Sequence, residues 1–214
     1  EVPMLDGMDE EKSVPENLWI SMAFEPRKAI HSIAQEHPLF GFWLLSTVYG
    51  IASSFHTANF YSWGLSFSFL SIVLPLLLFA PLLGAANICL DAGVLRLTAS
   101  WFGPSRVSFS QLKTAVAWSK VPSFLGLMMW VLLSVTDAET VFIHYASSGS
   151  AVMIIFITLI LSSWSFVLLA QTIRELQSST LLQAFGHVLL TYLISFILYL
   201  FALFAVRYIY ISLI

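Results

Sequence analysis

Three long stretches of this chain contain no Asp, Glu, Lys or Arg, and they constrain its fold more than any other feature. They cover residues 37–90, 140–173 and 176–206, which are 54, 34 and 31 residues long. About 20 apolar residues in a helix cross the hydrocarbon of a bilayer. Because lipid offers no hydrogen bonds to the backbone, such segments must form helices or a closed barrel. The runs lack the strict alternation of barrel strands, so the sequence predicts an all-α, polytopic integral membrane protein.

Composition supports the same class of protein. Charged residues make up only 10% of the chain, against about 25% in soluble domains. The net charge of −3 indicates no nucleic-acid partner. Cys89 is the single cysteine of the chain, so no intramolecular disulfide can form.

The longest apolar element covers residues 66–101. As a helix it would measure about 50 Å, longer than the hydrocarbon is thick. It contains Pro75 and Pro81, which membrane helices tolerate as kinks. We therefore expect one continuous, kinked helix that crosses the bilayer and extends beyond it.

The remaining chain divides around this helix into one membrane domain of residues 18–214, preceded by an acidic, flexible tail of residues 1–17. Two sequences with capping-box spacing, Ser108 to Gln111 and Thr180 to Gln183, predict helix starts near Phe109 and Leu181. Short amphipathic helices are expected on the membrane interface, over residues 26–36 and again from Phe109. The five predicted spans are residues 38–54, 66–101, 122–136, 149–171 and 181–208.

Small residues indicate where helices pack closely. Gly41 and Gly50 lie on the first predicted span, and Ala85, Cys89 and Gly93 recur every four residues on the long helix. Small side chains let membrane helices approach each other. Both sets therefore predict tight helix contacts.

The distribution of basic residues predicts the orientation. With five spans, eight of the nine Lys and Arg residues fall on one side, and only Arg207 falls on the other. Basic loops stay in the cytoplasm. The N-terminus is therefore expected in the cytoplasm and the C-terminus outside.

Catalytic signatures are missing from the sequence. It contains neither the G-x-S-x-G of a serine hydrolase nor the H-E-x-x-H of a zinc protease. We therefore predict no enzyme activity, no cofactor and no metal site. The polar residues near a span that stand out are Asn87, Asp91 and Arg96, and the sequence leaves open whether Asp91 and Arg96 are functional or structural.

The predicted interfacial helices carry basic residues that suit an anionic lipid surface or a docked partner. We expect these residues to form a wet rim at the cytoplasmic face, with Phe109, Leu112 and Val116 buried in the membrane interface or against the bundle. The rim residues are Arg27, Lys28, Lys113 and Lys120.

Three segments resemble the Yip domain family of five-span membrane proteins, known in eukaryotes as Ypt/Rab-interacting proteins. They are W-x4-F-x-P-R-K-A-I from Trp19 to Ile30, WFGPSRVSFSQLKTAVAWSKVPSFLG before the third span, and IRELQSSTLLQAFGHVL before the last. The resemblance implies a non-enzymatic scaffold or adaptor in membrane trafficking or organisation. The short N-terminal region is more similar to bacterial relatives, which implies a bacterial inner membrane rather than the Golgi or endoplasmic reticulum.

Two functions remain open on the sequence. The first is this scaffold, with membrane lipids and an unidentified protein at the cytoplasmic face as partners. The second is a small channel or transporter, and the sequence is also compatible with an oligomer. A cavity between the spans would favour transport, and a fully packed bundle would favour the scaffold. The residues available to line a polar path are Asn87, Asp91, Ser162, Ser163, Ser165 and His187.

Overall fold

The computed structural model describes residues 18–24, 26, 29–30, 33, 41–102, 107–138, 141–143 and 148–212. Across these residues the chain is helical and contains no strand, as predicted. Two short 3₁₀ turns, Trp63–Leu65 and Ala99–Trp101, lie before and after the helix Phe69–Thr98. The acidic tail predicted for residues 1–17 lies outside the described residues. The helices are α1 (Leu18–Phe24), α2 (Phe42–Phe60), α3 (Phe69–Thr98), α4 (Phe109–Ser119), α5 (Ser123–Thr136), α6 (Ser148–Leu176) and α7 (Leu181–Ser212).

The long helix α3 is continuous, as the sequence predicts. It begins at Phe69, three residues later than expected, and passes through Pro75 and Pro81 without a break. After Thr98 it tightens into the 3₁₀ turn that ends at Trp101. At 1.5 Å per residue, α3 is about 45 Å long.

Three helical segments are long and apolar enough to cross a membrane: Phe69–Trp101, Val152–Leu176 and Leu181–Ala202. A fourth arises if α4 and α5, which meet at a 44° bend, form one broken span. The five predicted spans are therefore not confirmed. The second half of α2 is too polar, because it contains Ser53, Ser54, His56, Thr57 and Asn59.

Both predicted capping boxes form. At the start of α4, the Gln111 amide donates to Ser108 Oγ at 3.2 Å, and the Ser108 amide donates to Gln111 Oε1 at 2.9 Å. At the start of α7, Thr180 and Gln183 exchange the same two bonds at 3.0 and 3.3 Å. These bonds satisfy amides that the helix itself leaves unpaired.

Helix α4 corrects one prediction. We expected an amphipathic helix on the membrane interface, but residues 114–120 are all buried. The helix packs against α2, α3 and α6, so it lies inside the bundle. Leu112 and Val116 are buried as predicted and Phe109 is half-buried, but the second half of the helix is covered on its other faces as well.

The segment before the first predicted span also packs into the bundle where it is described. Trp19 of α1, which precedes the interfacial helix predicted over residues 26–36, lies 4.8 Å from Trp118 and 5.5 Å from Phe124, measured between ring centroids. Within the predicted helix, Ile30 and Ile33 are buried. Arg27 and Lys28, which were predicted for the rim, lie outside the described residues.

Helices α2 and α3 cross in backbone contact. A Cβ atom added at Gly50 would overlap the carbonyl oxygen of Ala80, and one added at Gly84 would overlap that of Ser46. The predicted close approach at Gly50 is confirmed. Its partner is Gly84 rather than the predicted stripe, since a Cβ atom added at Gly93 would meet nothing within 4 Å.

The apolar core of the described chain has two parts. The Trp118 cluster contains Met22, Ile30, Leu45, Ile88, Leu95, Leu112, Val116, Trp118, Leu169, Ile173 and Val188, among others. The Trp130 cluster contains Ala52, Phe55, Ala58, Ile72, Leu76, Met129, Trp130, Val141, Phe142 and Ile154. Polar side chains lie between these two clusters.

Candidate functional site: a buried lysine and a polar pocket

A buried ion pair joins α3 to the bend between α4 and α5. Lys120 Nζ lies 3.9 Å from Asp91 Oδ2, and the two side chains are only 8% and 11% exposed. Lys120 follows the last residue of α4, and its carbonyl accepts the Ser123 amide at 2.8 Å. The turn thus fixes the lysine backbone at the bend and directs its side chain into the bundle.

Two tyrosines and a serine surround this pair. Lys120 Nζ lies 4.8 Å from the Tyr49 ring centroid and 5.3 Å from that of Tyr192. It also lies 3.5 Å from the Tyr192 hydroxyl. Ser195 donates to Asp91 Oδ1 at 2.8 Å. Aromatic faces stabilise a desolvated cation by about 2 kcal/mol, so the bundle is built to hold the lysine charge away from water.

Lys120 also lines a pocket of about 420 Å³ between α2, α5 and α6, with Tyr192 contributed by α7. Ser162 lines it and is exposed, so the pocket reaches the bundle surface there. The volume lies within the range of small-molecule sites. The lining residues are Tyr49, Ala52, Ser53, His56, Lys120, Ser123, Gly126, Met129, Trp130, Thr158, Leu161, Ser162, Ser165 and Tyr192.

The pocket has two chemically different ends. Lys120 and Tyr192 mark one end, where Phe166 packs 5.9 Å from Tyr192 and places the neighbouring Ser165 nearby. Trp130 marks the other end, 6.3 Å from His56 between ring centroids. Each of α2, α5 and α6 contributes residues seven apart along the pocket, which corresponds to about 10 Å of helix.

The predicted polar residues of α3 separate in the structure. Asp91 turns into the bundle, whereas Arg96 lies 6.0 Å from the Phe109 ring centroid. Five residues on a helix rotate by about 140°, so the two side chains cannot share a face. Asn87 is exposed on the outside of the bundle and does not line the pocket.

The predicted basic rim is only partly compatible with the structure. Lys113 is half-buried, with its ammonium 5.7 and 5.3 Å from the Phe42 and Phe109 ring centroids. The prediction that Lys120 stays in water is wrong, because the bend at the end of α4 turns it towards Asp91.

Two of the serines predicted for a polar path, Ser162 and Ser165, line the pocket. Ser163 does not, and it is exposed on α6. His187 belongs to a separate, buried polar group. Its Nε2 lies 2.8 Å from Thr98 Oγ1 and 3.1 Å from the Leu95 carbonyl, and its ring stacks on Phe102 at 4.7 Å. These contacts tie α7 to the end of α3.

The sequence carried a signal for the pocket that our predictions did not use. Polar residues recur at intervals of four and three, which places them on one face of a helix. On α2 this pattern is Tyr49, Ser53 and His56, and on α6 it is Thr158, Ser162 and Ser165. Within the described residues, no group of three His, Cys, Asp or Glu side chains is arranged to hold a metal ion.

No protein-family model matches this chain, and no curated protein or solved structure is similar enough to count as a match. The resemblance to the Yip domain family therefore stays a prediction.

Proposed function

We propose that this chain is a small integral membrane carrier that binds a polar solute between α2, α5 and α6. The observation that carries the proposal is the pocket, with its hydroxyl groups and the Lys120 ammonium inside an otherwise apolar bundle. Polar and charged groups at membrane depth are costly and line substrate pathways when they occur. A scaffold has no need of them there.

The surroundings of the pocket favour a carrier over an open channel. Tyr49 and Tyr192 at the Lys120 end pack against the Trp118 cluster, and Ala52, Met129 and Trp130 of the Trp130 cluster form part of the pocket wall. We propose that these two apolar clusters close the pocket towards the two sides of the membrane. Alternating access, in which one barrier opens at a time, suits this arrangement.

The scaffold hypothesis receives less support from the bundle. Its proposed docking surface used α4, but residues 114–120 are buried. Membrane lipids, a cytoplasmic protein partner and an oligomer stay predictions, as does a bacterial inner membrane.

We further propose the five-span topology, with α2 and the bent α4–α5 pair crossing beside the three longer spans. An odd number of spans puts the two ends on opposite sides, and the basic residues put the N-terminus in the cytoplasm. Reporters active on only one side, fused to each end in turn, are expected to report the N-terminus inside and the C-terminus outside. Two ends on the same side would contradict five spans.

The carrier proposal is tested by cysteine accessibility. Cys89 is the single cysteine, so Cys89→Ala gives a background without thiols for Ser53→Cys and Ser165→Cys. A membrane-impermeant, charged thiosulfonate reacts with the ionised thiol. Both pocket thiols are expected to react in proteoliposomes, whether the reagent is supplied outside or sealed inside.

The matched control is Leu159→Cys on the same helix as Ser165. Leu159 is 62% exposed on the outer, apolar surface of α6, where lipid keeps a thiol neutral and unreactive. If the pocket thiols react no faster than this control from either side, the carrier proposal fails. Reaction from one side only would indicate a binding site without transport.

A further inference from the structure

We propose that the pocket recognises an anionic oxygen group, a carboxylate or a phosphate, and that Lys120 is the residue that binds it. This inference rests on the proposed carrier function and names the chemistry of its solute. It starts from the incomplete hydrogen bonding of a buried ammonium group.

Lys120 has three N–H donors, and its partners among the described residues lie at long range. The Tyr192 hydroxyl is 3.5 Å away and Asp91 Oδ2 is 3.9 Å away. Good N–H···O bonds measure about 2.7–3.2 Å. A buried charge is stable when both paired and hydrogen-bonded. An anionic oxygen in the pocket would supply the short bonds that the ammonium lacks.

The charge of the lining has the sign that an anion requires. Among the pocket residues in the described part of the chain, Lys120 carries a formal charge and none is Asp or Glu. Asp91 does not line the pocket, and its Oδ1 is engaged by the Ser195 hydroxyl at 2.8 Å. A ligand anion would therefore reach Lys120 from the pocket without displacing Asp91.

Hydroxyl groups near Lys120 can bind the same anionic group. Ser123 and Ser165 lie at the lysine end and can donate to a second oxygen of the ligand. Away from Lys120, Met129, Trp130 and Leu161 supply an apolar wall beside His56 and Thr158. The pocket thus fits a small molecule with one anionic head and a short apolar body.

Two kinds of molecule could carry the anionic oxygen group into the pocket. A water-soluble amphiphile could enter along the membrane normal, and an anionic lipid could insert its head group where Ser162 reaches the bundle surface. The recognised group is the same in both cases, so the experiment needs one arm for each source.

The test uses the full chain in nanodiscs of zwitterionic phosphatidylcholine. Hexanoate is titrated and the midpoint of thermal unfolding is followed, because a ligand that binds the folded state raises it. Hexanamide serves as the neutral control of the same shape. The second arm replaces part of the phosphatidylcholine with phosphatidylglycerol and omits hexanoate. We expect stabilisation by hexanoate, by phosphatidylglycerol or by both, and little by hexanamide.

Variants of the ion pair identify the residue responsible. Lys120→Gln is expected to weaken anion binding by about tenfold or more, as when a charge-assisted hydrogen bond is lost. Lys120→Arg should retain binding. Asp91→Asn should bind the anion more tightly than the wild type, because it removes the competing carboxylate. Lys113→Gln, outside the pocket, should match the wild type.

Misfolding of the variants would not produce this set of changes in anion binding. If Lys120→Gln is too unstable to measure, the neutral double variant Asp91→Asn/Lys120→Gln takes its place and should also lose anion binding. The tighter binding of Asp91→Asn is a gain that a damaged fold does not produce. Stabilisation by phosphatidylglycerol alone, dependent on Lys120, supports the inference with a lipid as the source.

Two results would overturn the inference. Equal stabilisation by hexanoate and hexanamide would show a pocket that ignores charge, and it would leave the carrier proposal intact. Absence of stabilisation in both arms would show that Lys120 recognises no anion. The carrier proposal would then depend on the cysteine accessibilities alone, so the two failures are distinguishable.

Discussion

Replacing Asp91 with leucine is expected to destabilise the folded bundle by about 3–5 kcal/mol, because it leaves the buried Lys120 ammonium without its counter-charge. Both side chains are nearly inaccessible to water. Water therefore cannot compensate for the loss, as it would at the protein surface. Leucine resembles aspartate in outline, so the effect should reflect the lost charge rather than a cavity. Unfolding in mixed detergent micelles with increasing dodecyl sulfate measures the change.

A double-mutant cycle separates the ion pair from other effects. Lys120→Met alone should also be destabilising, since it leaves the Asp91 carboxylate buried. The double variant Asp91→Leu/Lys120→Met should be more stable than Asp91→Leu, because an apolar pair replaces a buried ion pair at little cost. Lys113→Met is the control, with an expected loss of about 1 kcal/mol from the cation–π contacts of this half-buried side chain. Additive losses at positions 91 and 120 would show that the two charges do not stabilise each other.

Gly84→Ala is expected to cost about 3 kcal/mol or more, because overpacking here involves two main chains rather than flexible side chains. The added methyl group would overlap the Ser46 carbonyl oxygen on α2. The two helices would have to separate along their crossing. Gly50→Ala should be similarly harmful, since its methyl group would overlap the Ala80 carbonyl. The midpoint of thermal unfolding in detergent reports both effects.

Gly93 supplies the matched control on the same helix. A Cβ atom at this position would meet no heavy atom within 4 Å. Gly93→Ala should therefore stabilise α3 by about 0.5–1 kcal/mol, the usual gain for alanine inside a helix. A loss for Gly93→Ala equal to that for Gly84→Ala would mean that an effect common to both positions, and not the crossing, determines the result.

Local signals explain which parts of the fold could be predicted. The start of α4 follows from Ser108 and Gln111, and the start of α7 from Thr180 and Gln183, because capping depends on residues three apart. The continuity of α3 follows from its apolar length, which outweighs Pro75. Ser162 and Ser165 were predicted as lining residues because polar side chains on an apolar helix must face a polar surface.

Long-range contacts explain what the sequence could not show. Asp91 and Lys120 are 29 residues apart, and Asp91 and Ser195 are 104 apart, so no spacing rule connects them. Helix α4 has the polar residues of a surface helix, but the bundle covers both of its faces. Small-residue spacing pointed to Gly93, whereas the crossing uses Gly84, because the relative rotation of two helices is fixed only when they pack.

The crossing of α2 and α3 also has a mechanical consequence. No side chains separate the backbones at Gly50 and Gly84, so a change of rotamer cannot alter the distance between α2 and α3. The two helices therefore move as one rigid unit. Helix α5 meets α6 differently. A Cβ atom at Gly126 would meet side chains rather than backbone, Leu161 Cδ1 at 3.4 Å and Ala52 Cβ at 4.0 Å. Packing of this kind permits the small sliding motions by which helices shear. Helices α5 and α6 are therefore the pair that can slide past each other, while α2 and α3 keep their relative position.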